Sequence, residues 1–223
     1  MLLVLARHGQ TALNASGAVQ GGGSNPPLTE TGRRQSELLA ARFRTSRVVA
    51  IFTSDMVRAV ETASYIRQDH LDADYIEDSA LREFNFGNVE GIENAADLLA
   101  PVQAQWNAGF FDVAYPGGES PTECRNRIIP ALLRVLDKHV PSDTSFVGEE
   151  QTIVGVLHGR MMRILLSSML NNGDLSKMCD YNHHNTSVYA VKVVRLGNGA
   201  GSLDNYKFAL VLFNDTSHLQ EQN

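Results

Sequence analysis

The sequence predicts an α/β protein with a largely parallel central sheet, and three observations lead to this prediction. Five short apolar runs, β-branched or bulky and mostly bounded by turn or polar residues, are typical of buried strands: Leu2–Ala6, Val48–Phe52, Ile153–Leu157, Val188–Val194 and Phe208–Phe213. Amphipathic stretches with helical periodicity lie between several of these runs. Strands that alternate with helices favour a sheet with parallel strands and helices packed against it.

Four helices are predicted along the chain. The first, about Glu30–Phe43, follows Thr29, a residue type that caps helix N-termini well, and the second spans about Met56–Gln68. The third, about Pro121–His139, starts with a proline, which is favoured in a first turn, and the fourth begins just after His158. The first three carry apolar side chains at three- or four-residue spacing, so each has a face that can pack on the sheet.

Residues 84–120 interrupt the alternation of strands and helices. They combine Asn, Gly and Pro with a short helical patch at Ala95–Trp106, and we expect them to form an insertion over one end of the sheet. No repeat, low-complexity tract or linker divides the chain. A single domain over residues 1–223 is therefore expected.

Composition limits the partners of the chain. The formal net charge is -6 and no run of Lys or Arg is present, which argues against a nucleic-acid surface. Cys124 and Cys179 fit no metal or redox spacing and are expected to be reduced thiols. The apolar start is too short for a signal peptide, and no run is long enough for a transmembrane helix. A cytoplasmic protein without a membrane partner is the expectation.

Polar residues follow four of the predicted strands. Arg7-His8-Gly9 follows the first strand and Arg58 lies shortly after the second. Glu83 follows a further short strand predicted near Asp74–Glu77, and His158 follows the strand that ends at Leu157. In open α/β sheets, ligands bind beyond the carboxyl ends of the strands, so we expect these side chains to meet at one site.

This set of side chains suits phosphoryl transfer. A neutral imidazole such as that of His8 can attack phosphorus, and two arginines offer charged planar forks that match phosphate geometry. A carboxylic acid, here Glu83, can protonate the leaving oxygen and then take a proton from water. Taken singly, each residue has an ordinary alternative, such as a solvated turn or a surface charge; the shared position of all four favours a site. No carboxylate cluster has spacing suited to Mg²⁺, and neither a metal nor a cofactor is expected.

Several motifs, spread over most of the chain, form a specific pattern. They are Leu5–Thr11 with Asn14; Gln20-Gly21 and Pro27–Thr29 with Gly32 and Gln35; Ser54-Asp55 with Arg58-Ala59 and Glu61–Ala63; Leu81–Glu83 with Phe86-Gly87 and Glu90-Gly91; Pro116–Ser120; His158-Gly159; and Asn185–Val188. With these motifs the chain resembles the histidine phosphatase superfamily, also called phosphoglycerate mutase-like.

The resemblance implies a three-layer α/β/α fold in which residues 84–120 help to shape the substrate entrance. It also implies that a small phosphorylated molecule is hydrolysed through a phosphohistidine on His8, with Glu83 as the proton donor. The implied phosphate pocket consists of Arg7, Arg58 and His158, with Asn14 as a further contact.

Alternatives remain within this family. Glycolytic mutases carry Arg-His-Tyr after the acidic glutamate, whereas Phe84-Asn85-Phe86 stands here, and the tail from Asn214 onward has no Lys or Arg. A phosphatase is therefore favoured over a cofactor-dependent phosphoglycerate mutase. A non-catalytic binding protein on the same fold is a further alternative. The five residues that the reaction would need are nevertheless all present: Arg7, His8, Arg58, Glu83 and His158. Arg160 is less usual after His158-Gly159; it either reaches a second anionic group of the substrate or faces solvent.

The insertion is rich in aromatic residues and poor in cations. Its aromatic side chains include Phe84, Phe86, Trp106, Phe110, Phe111 and Tyr115. Either they favour a substrate whose non-phosphate part is not strongly anionic, or they pack the insertion against the rest of the protein.

Overall fold

A six-stranded sheet forms the centre of the protein. The computed structural model describes residues 1–142, 150–197 and 199–220. The strands are β1 (Leu2–Arg7), β2 (Arg47–Thr53), β3 (Asp74–Glu77), β4 (Gln151–Leu157), β5 (Val188–Arg195) and β6 (Tyr206–Asp215). Their order across the sheet is β3-β2-β4-β1-β5-β6.

The sheet is mixed but mainly parallel, as predicted. The three pairings among β3, β2, β4 and β1 are parallel, whereas β5 runs antiparallel to both of its neighbours. β1 and β4 are buried along almost their whole length, which explains why they appear in the sequence as continuous apolar runs. A register shift between Val48 and Ala50 interrupts the pairing of β2 with β4.

Helices cover both faces of the sheet, which confirms the predicted α/β fold class. They are α1 (Ala12–Ser16), α2 (Glu30–Phe43), α3 (Val57–Gln68), α4 (Ala96–Asn107), α5 (Pro121–His139) and α6 (Gly159–Leu170). Apolar side chains of α2 and α3 pack on one face, and those of α5 and α6 pack on the other. Successive residues of β1 supply the two cores, because Leu3 and Leu5 point to one face while Val4 and Ala6 point to the other.

Local sequence sets the start of two helices. The hydroxyl of Thr29 accepts a hydrogen bond from the Gly32 N–H at 3.0 Å at the start of α2. At the start of α5, Ser120 and Glu123 form a reciprocal capping box ahead of an apolar stripe. The sequence did not predict α1, because five residues are too few to display a helical period.

The aromatic residues of segment 84–120 mostly pack against one another. Phe84, Phe86, Trp106 and Tyr115 are buried, and the ring centroids of Trp106 and Tyr115 lie 5.3 Å apart. The Trp106 indole N–H donates to the Val113 carbonyl at 2.7 Å, so its ring is held in place. Phe110, in contrast, is exposed. Of the two interpretations of this aromatic content, the packing role applies to these four side chains.

None of the helices in the described part of the chain combines the length and the apolar character that crossing a membrane requires.

Candidate active site

The pairing of β1 with β4 brings two histidines together. The strands are parallel and Arg7 lies opposite Leu157, so the chain leaves both strands at the same level. His8 and His158 are the next residues, and their ring centroids are 5.2 Å apart. Both side chains are almost completely buried. The two histidines thus face each other at the carboxyl edge of the sheet.

Hydrogen bonds define the tautomer of His8. The Nε of Arg58 lies 3.2 Å from His8 Nε2, and a guanidinium can only donate, so Nε2 carries the lone pair. The proton therefore resides on Nδ1, which lies 2.7 Å from the Gly9 carbonyl oxygen. Burial, followed by the positive charges of Arg58 and Arg7, lowers the pKa of His8 well below its ordinary value. His8 is thus a neutral imidazole at neutral pH.

Arg58 is locked in place by the loop that follows α1. Its Nη1 donates to the Ser24 carbonyl at 2.8 Å and its Nη2 donates to the Gly21 carbonyl at 3.3 Å. Burial lowers the pKa of Arg58 to about 10, and the nearby charge of Glu83 opposes this shift. The guanidinium therefore remains charged at neutral pH and holds the imidazole of His8.

His158 presents an unused donor. Its Nε2 lies 2.6 Å from Ser54 Oγ, and that hydroxyl already accepts the Met56 N–H at 3.3 Å. We assign the tautomer in which the Ser54 hydroxyl donates to His158 Nε2, and the imidazole proton then lies on Nδ1. Nδ1 is buried and has no hydrogen-bond partner among the described residues. Burial and the charges of Arg58 and Arg7 lower the pKa of His158 well below its ordinary value, so the ring is neutral.

Glu83 lies between the insertion and the N-terminus of α6. Its Oε1 accepts the N–H groups of Phe84 at 2.8 Å and Met161 at 3.0 Å, and its Oε2 accepts the Arg160 N–H at 3.2 Å. Two of these donors belong to the first turn of α6, where backbone N–H groups lack intrahelical partners. Arg127 braces the same segment by donating to the carbonyl oxygen of Glu83 at 3.1 Å. The carboxyl group is therefore fixed in position.

Arg7 completes the charged set at the end of β1. Its Nε is buried without a hydrogen-bond partner among the described residues. Burial lowers its pKa to about 10, while the charge of Glu83 raises it and that of Arg163 lowers it. Neither Arg7 nor Arg58 forms an ion pair with a carboxylate in the described part of the chain. An anion would satisfy both charges.

Asn14 belongs to a small hydrogen-bond network that includes the backbone carbonyl of His8. Its Nδ2 donates to Gln20 Oε1 at 2.7 Å, and its Oδ1 accepts from Asn185 Nδ2 at 3.0 Å. Asn185 also donates to the His8 carbonyl at 3.0 Å. Gln20 Nε2 is buried without a partner among the described residues, so Gln20 offers a further free donor.

Two glycines let the loop after β1 pack tightly. A Cβ on Gly9 would lie 2.5 Å from the Gly32 carbonyl oxygen, and one on Gly32 would lie 2.1 Å from the Gln10 carbonyl oxygen. The Gly9 N–H also donates to Thr62 Oγ1 at 3.0 Å. The backbone beside His8 is therefore clamped between α2 and α3.

Sequence reasoning assigned no role to several side chains that hold this site. Ser54 directly follows β2. The other site residues were chosen because they follow predicted strands, and Ser54 could have been chosen for the same reason. Gln20 and Asn185 belong to quoted motifs but received no function. Arg163 and His183 carried no signal, since their proximity to Arg7 arises only in the folded chain.

The arrangement can bind and attack an anionic electrophile. Among the described residues it offers buried donors without a partner on Arg7, His158 and Gln20, two arginines without a carboxylate partner, and a neutral nitrogen lone pair on His8. No group of three or more His, Cys, Asp or Glu side chains among the described residues has the geometry of a metal site.

Comparisons with known proteins give the relatives of this chain. The family model of the histidine phosphatase superfamily (branch 1) matches residues 3–208. A probable phosphoglycerate mutase, GpmB, of Yersinia pestis (strain Pestoides F) is 36% identical over 170 residues, or 74% of this chain and 73% of that protein.

Solved structures share the fold. A mycobacterial glucosyl-3-phosphoglycerate phosphatase has a TM-score of 0.81 at 24% identity, over 96% of this chain and 99% of that chain. The phosphoserine phosphatase of Entamoeba histolytica, in complex with 3-phosphoglyceric acid, has a TM-score of 0.75 at 23% identity, over 98% and 99% of the two chains.

Proposed function

Since the chain belongs to the histidine phosphatase superfamily, whose model covers residues 3–208, we propose that it is a metal-independent phosphatase of small phosphate monoesters. One observation carries this proposal. The Nε2 lone pair of His8 is held by Arg58, beside donors on Arg7 and His158 that have no partner among the described residues. Attack on a phosphate group requires a neutral nucleophile in a cationic pocket.

In the first step, His8 Nε2 gives up its hydrogen bond from Arg58 Nε and attacks phosphorus, and the ester P–O bond breaks as the P–N bond forms. The guanidinium groups of Arg7 and Arg58 and the Nδ1–H of His158 stabilise the charge on the non-bridging oxygens. Glu83 gives a proton to the leaving oxygen, so an alcohol departs and a phosphohistidine remains.

In the second step, water attacks the phosphohistidine. The Glu83 carboxylate accepts a proton from this water, the P–N bond breaks, and inorganic phosphate leaves. His8 returns to its neutral state, in which Nε2 again accepts a hydrogen bond from Arg58 Nε. Asn14 acts by holding Gln20 and, through Asn185, the backbone of His8.

A phosphoglycerate mutase is the second candidate, because the 36% identical relative carries that name. The segment after Glu83 argues against it. Phe84 and Phe86 are buried in the aromatic cluster, so this segment offers no cation to retain a bisphosphorylated intermediate. Incubation with 3-phosphoglycerate distinguishes the two activities, because a phosphatase releases inorganic phosphate and a mutase forms 2-phosphoglycerate.

The proposal is tested with 4-nitrophenyl phosphate in the presence of EDTA. The wild type is expected to turn over this ester, and a rapid quench in alkali, where phosphohistidine is stable, should trap phosphate on the protein. His8→Ala should lose both signals, while His70→Ala, which alters a histidine hydrogen-bonded to the Phe43 carbonyl outside the site, should keep both. Turnover by folded His8→Ala at the wild-type rate, or a loss of activity in EDTA that Mg²⁺ restores, would refute this mechanism.

A further inference from the structure

The segment that precedes β5 holds the backbone of the residue that the proposed reaction uses as its nucleophile. The Thr186 N–H donates to the carbonyl oxygens of Arg7 at 3.1 Å and His8 at 3.4 Å. The Ser187 carbonyl accepts the Arg7 N–H at 3.2 Å, and the Asn185 side chain donates to the His8 carbonyl at 3.0 Å. The position of His8 therefore depends on the conformation of this segment.

Thr186 has a backbone conformation that threonine rarely adopts. Its φ is 57°, in the left-handed region, and the residue is completely buried. A β-branched residue at positive φ is a genuine outlier, and such a conformation persists only where the surrounding structure enforces it. The contacts of the Thr186 side chain therefore help to decide where the backbone of His8 lies.

His218 supplies one of these contacts from the C-terminal part of the chain. It lies in the short turn Ser217–Leu219 after β6, and its Nε2 is 3.2 Å from Thr186 Oγ1. The Thr186 hydroxyl donates its own proton to the Asn185 carbonyl at 2.8 Å. The hydroxyl oxygen therefore acts as the acceptor in the contact with His218.

Arg42 sets the tautomer that this contact needs. Its Nη1 lies 3.5 Å from His218 Nδ1, and a guanidinium only donates, so Nδ1 carries the lone pair and Nε2 the proton. Arg42 is itself paired with Asp215, whose carboxylate also accepts the Ser217 hydroxyl at 2.8 Å. Burial, followed by the charge of Arg42, lowers the pKa of His218 to about 4, so the ring is neutral at neutral pH. The proton on Nε2 is thus directed at Thr186.

We propose that His218 is a positioning residue for the nucleophile. Its Nε2–H holds Thr186 in the left-handed conformation, and Thr186 in turn holds the backbone of His8 where the imidazole is aligned for attack. This inference rests on the proposed phosphatase function, in which His8 attacks phosphorus. Arg58 and His158 lie on other elements, so loss of the His218 contact should slow the attack more than it weakens phosphate binding.

Two substitutions of His218 test the proposal. Stopped-flow release of 4-nitrophenolate in the first turnover reports the attack by His8. At saturating 4-nitrophenyl phosphate this rate should fall by about 10- to 100-fold in His218→Ala, because small displacements of a reacting group cost factors of this size. The half-saturating concentration should change much less. His218→Gln places an amide N–H near the position of the imidazole Nε2–H and should recover most of the rate.

Thr186→Gly tests whether His218 acts through Thr186. Glycine adopts positive φ without steric cost, so in this background His218→Ala should cause little further loss of rate. A loss as large as that in the wild-type background would contradict the proposed route. His70→Ala is the matched control, since it removes a histidine contact of 3.0 Å to the Phe43 carbonyl outside the site, and it should keep the wild-type rate.

Hydrogen exchange followed by NMR reads the same contact without chemistry. The Thr186 amide is hydrogen-bonded in the folded protein, so its exchange should be slow in the wild type and in His218→Gln, and faster in His218→Ala. If no ester is turned over, the phosphatase function fails, and faster exchange in His218→Ala would still support the hold of His218 on Thr186. Unchanged exchange in folded His218→Ala, or faster exchange in an active enzyme without any loss of first-turnover rate, would overturn the proposal.

Discussion

Glu83→Gln is the most informative single change, because it removes a proton donor while keeping the shape of the side chain. The amide oxygen can still accept the N–H groups of Phe84 and Met161. The amide NH₂ then takes the place of Oε2 and faces the Arg160 N–H, which lies 3.2 Å from that position. Two donors then oppose each other in a buried site.

The structural cost follows from these contacts. An unpaired buried donor costs about 1–3 kcal/mol. For a chain of this size each kcal/mol lowers the melting temperature by about 2–4 °C. We therefore expect a folded variant with a modestly reduced melting temperature in differential scanning calorimetry.

The catalytic cost depends on the leaving group. A positioned general acid contributes about 10²- to 10⁴-fold when the leaving oxygen is strongly basic, as in glycerol 3-phosphate. The phenolate of 4-nitrophenyl phosphate is weakly basic and needs much less protonation, so its kcat/KM should fall far less. Steady-state kinetics with both esters gives the two losses directly.

Glu123→Gln serves as the control for this test. Glu123 also accepts a backbone N–H at a helix N-terminus, that of Ser120 at 2.8 Å, but at the start of α5. Its substitution should leave the ratio of the two kcat/KM values unchanged. An equal loss on both esters in Glu83→Gln would refute the role of Glu83 as the acid for the leaving group.

Two further predictions concern the histidines. Ser54→Ala removes the hydroxyl 2.6 Å from His158 Nε2, so the Nδ1–H tautomer of His158 is no longer enforced. The kcat/KM should fall by about 10- to 100-fold, which is equivalent to about 1–3 kcal/mol. Unchanged kinetics in a folded variant would contradict the assignment. His183 stays neutral in the folded protein, with a pKa of about 2. As the pH falls below about 6.5, the unfolded chain takes up a proton that the folded chain does not, so the free energy of unfolding decreases by about 1.4 kcal/mol per pH unit. His183→Gln should make this decrease shallower by that amount in urea titrations between about pH 6 and 4; an identical slope would show that His183 is protonated in the folded state.

The sequence contained enough information for the layout of the fold. Buried parallel strands such as β1 and β4 must be apolar on both faces, so continuous runs such as Leu2–Ala6 identify them. The N-cap Thr29 and the first-turn proline Pro121 mark helix starts within a few neighbouring residues. The five-residue helix α1 escaped prediction, because its local signal is too short.

By itself the sequence determined which chemical groups stand at the strand ends, because the residue that follows a strand is fixed by chain order: His8 after β1 and His158 after β4. Only the tertiary structure decided their chemical state. The lone pair on His8 Nε2 depends on Arg58, 50 residues away, and the free proton on His158 Nδ1 depends on Ser54, 104 residues away. Burial and hydrogen-bond partners set tautomer, charge and orientation, and these partners come together only when the whole sheet has formed.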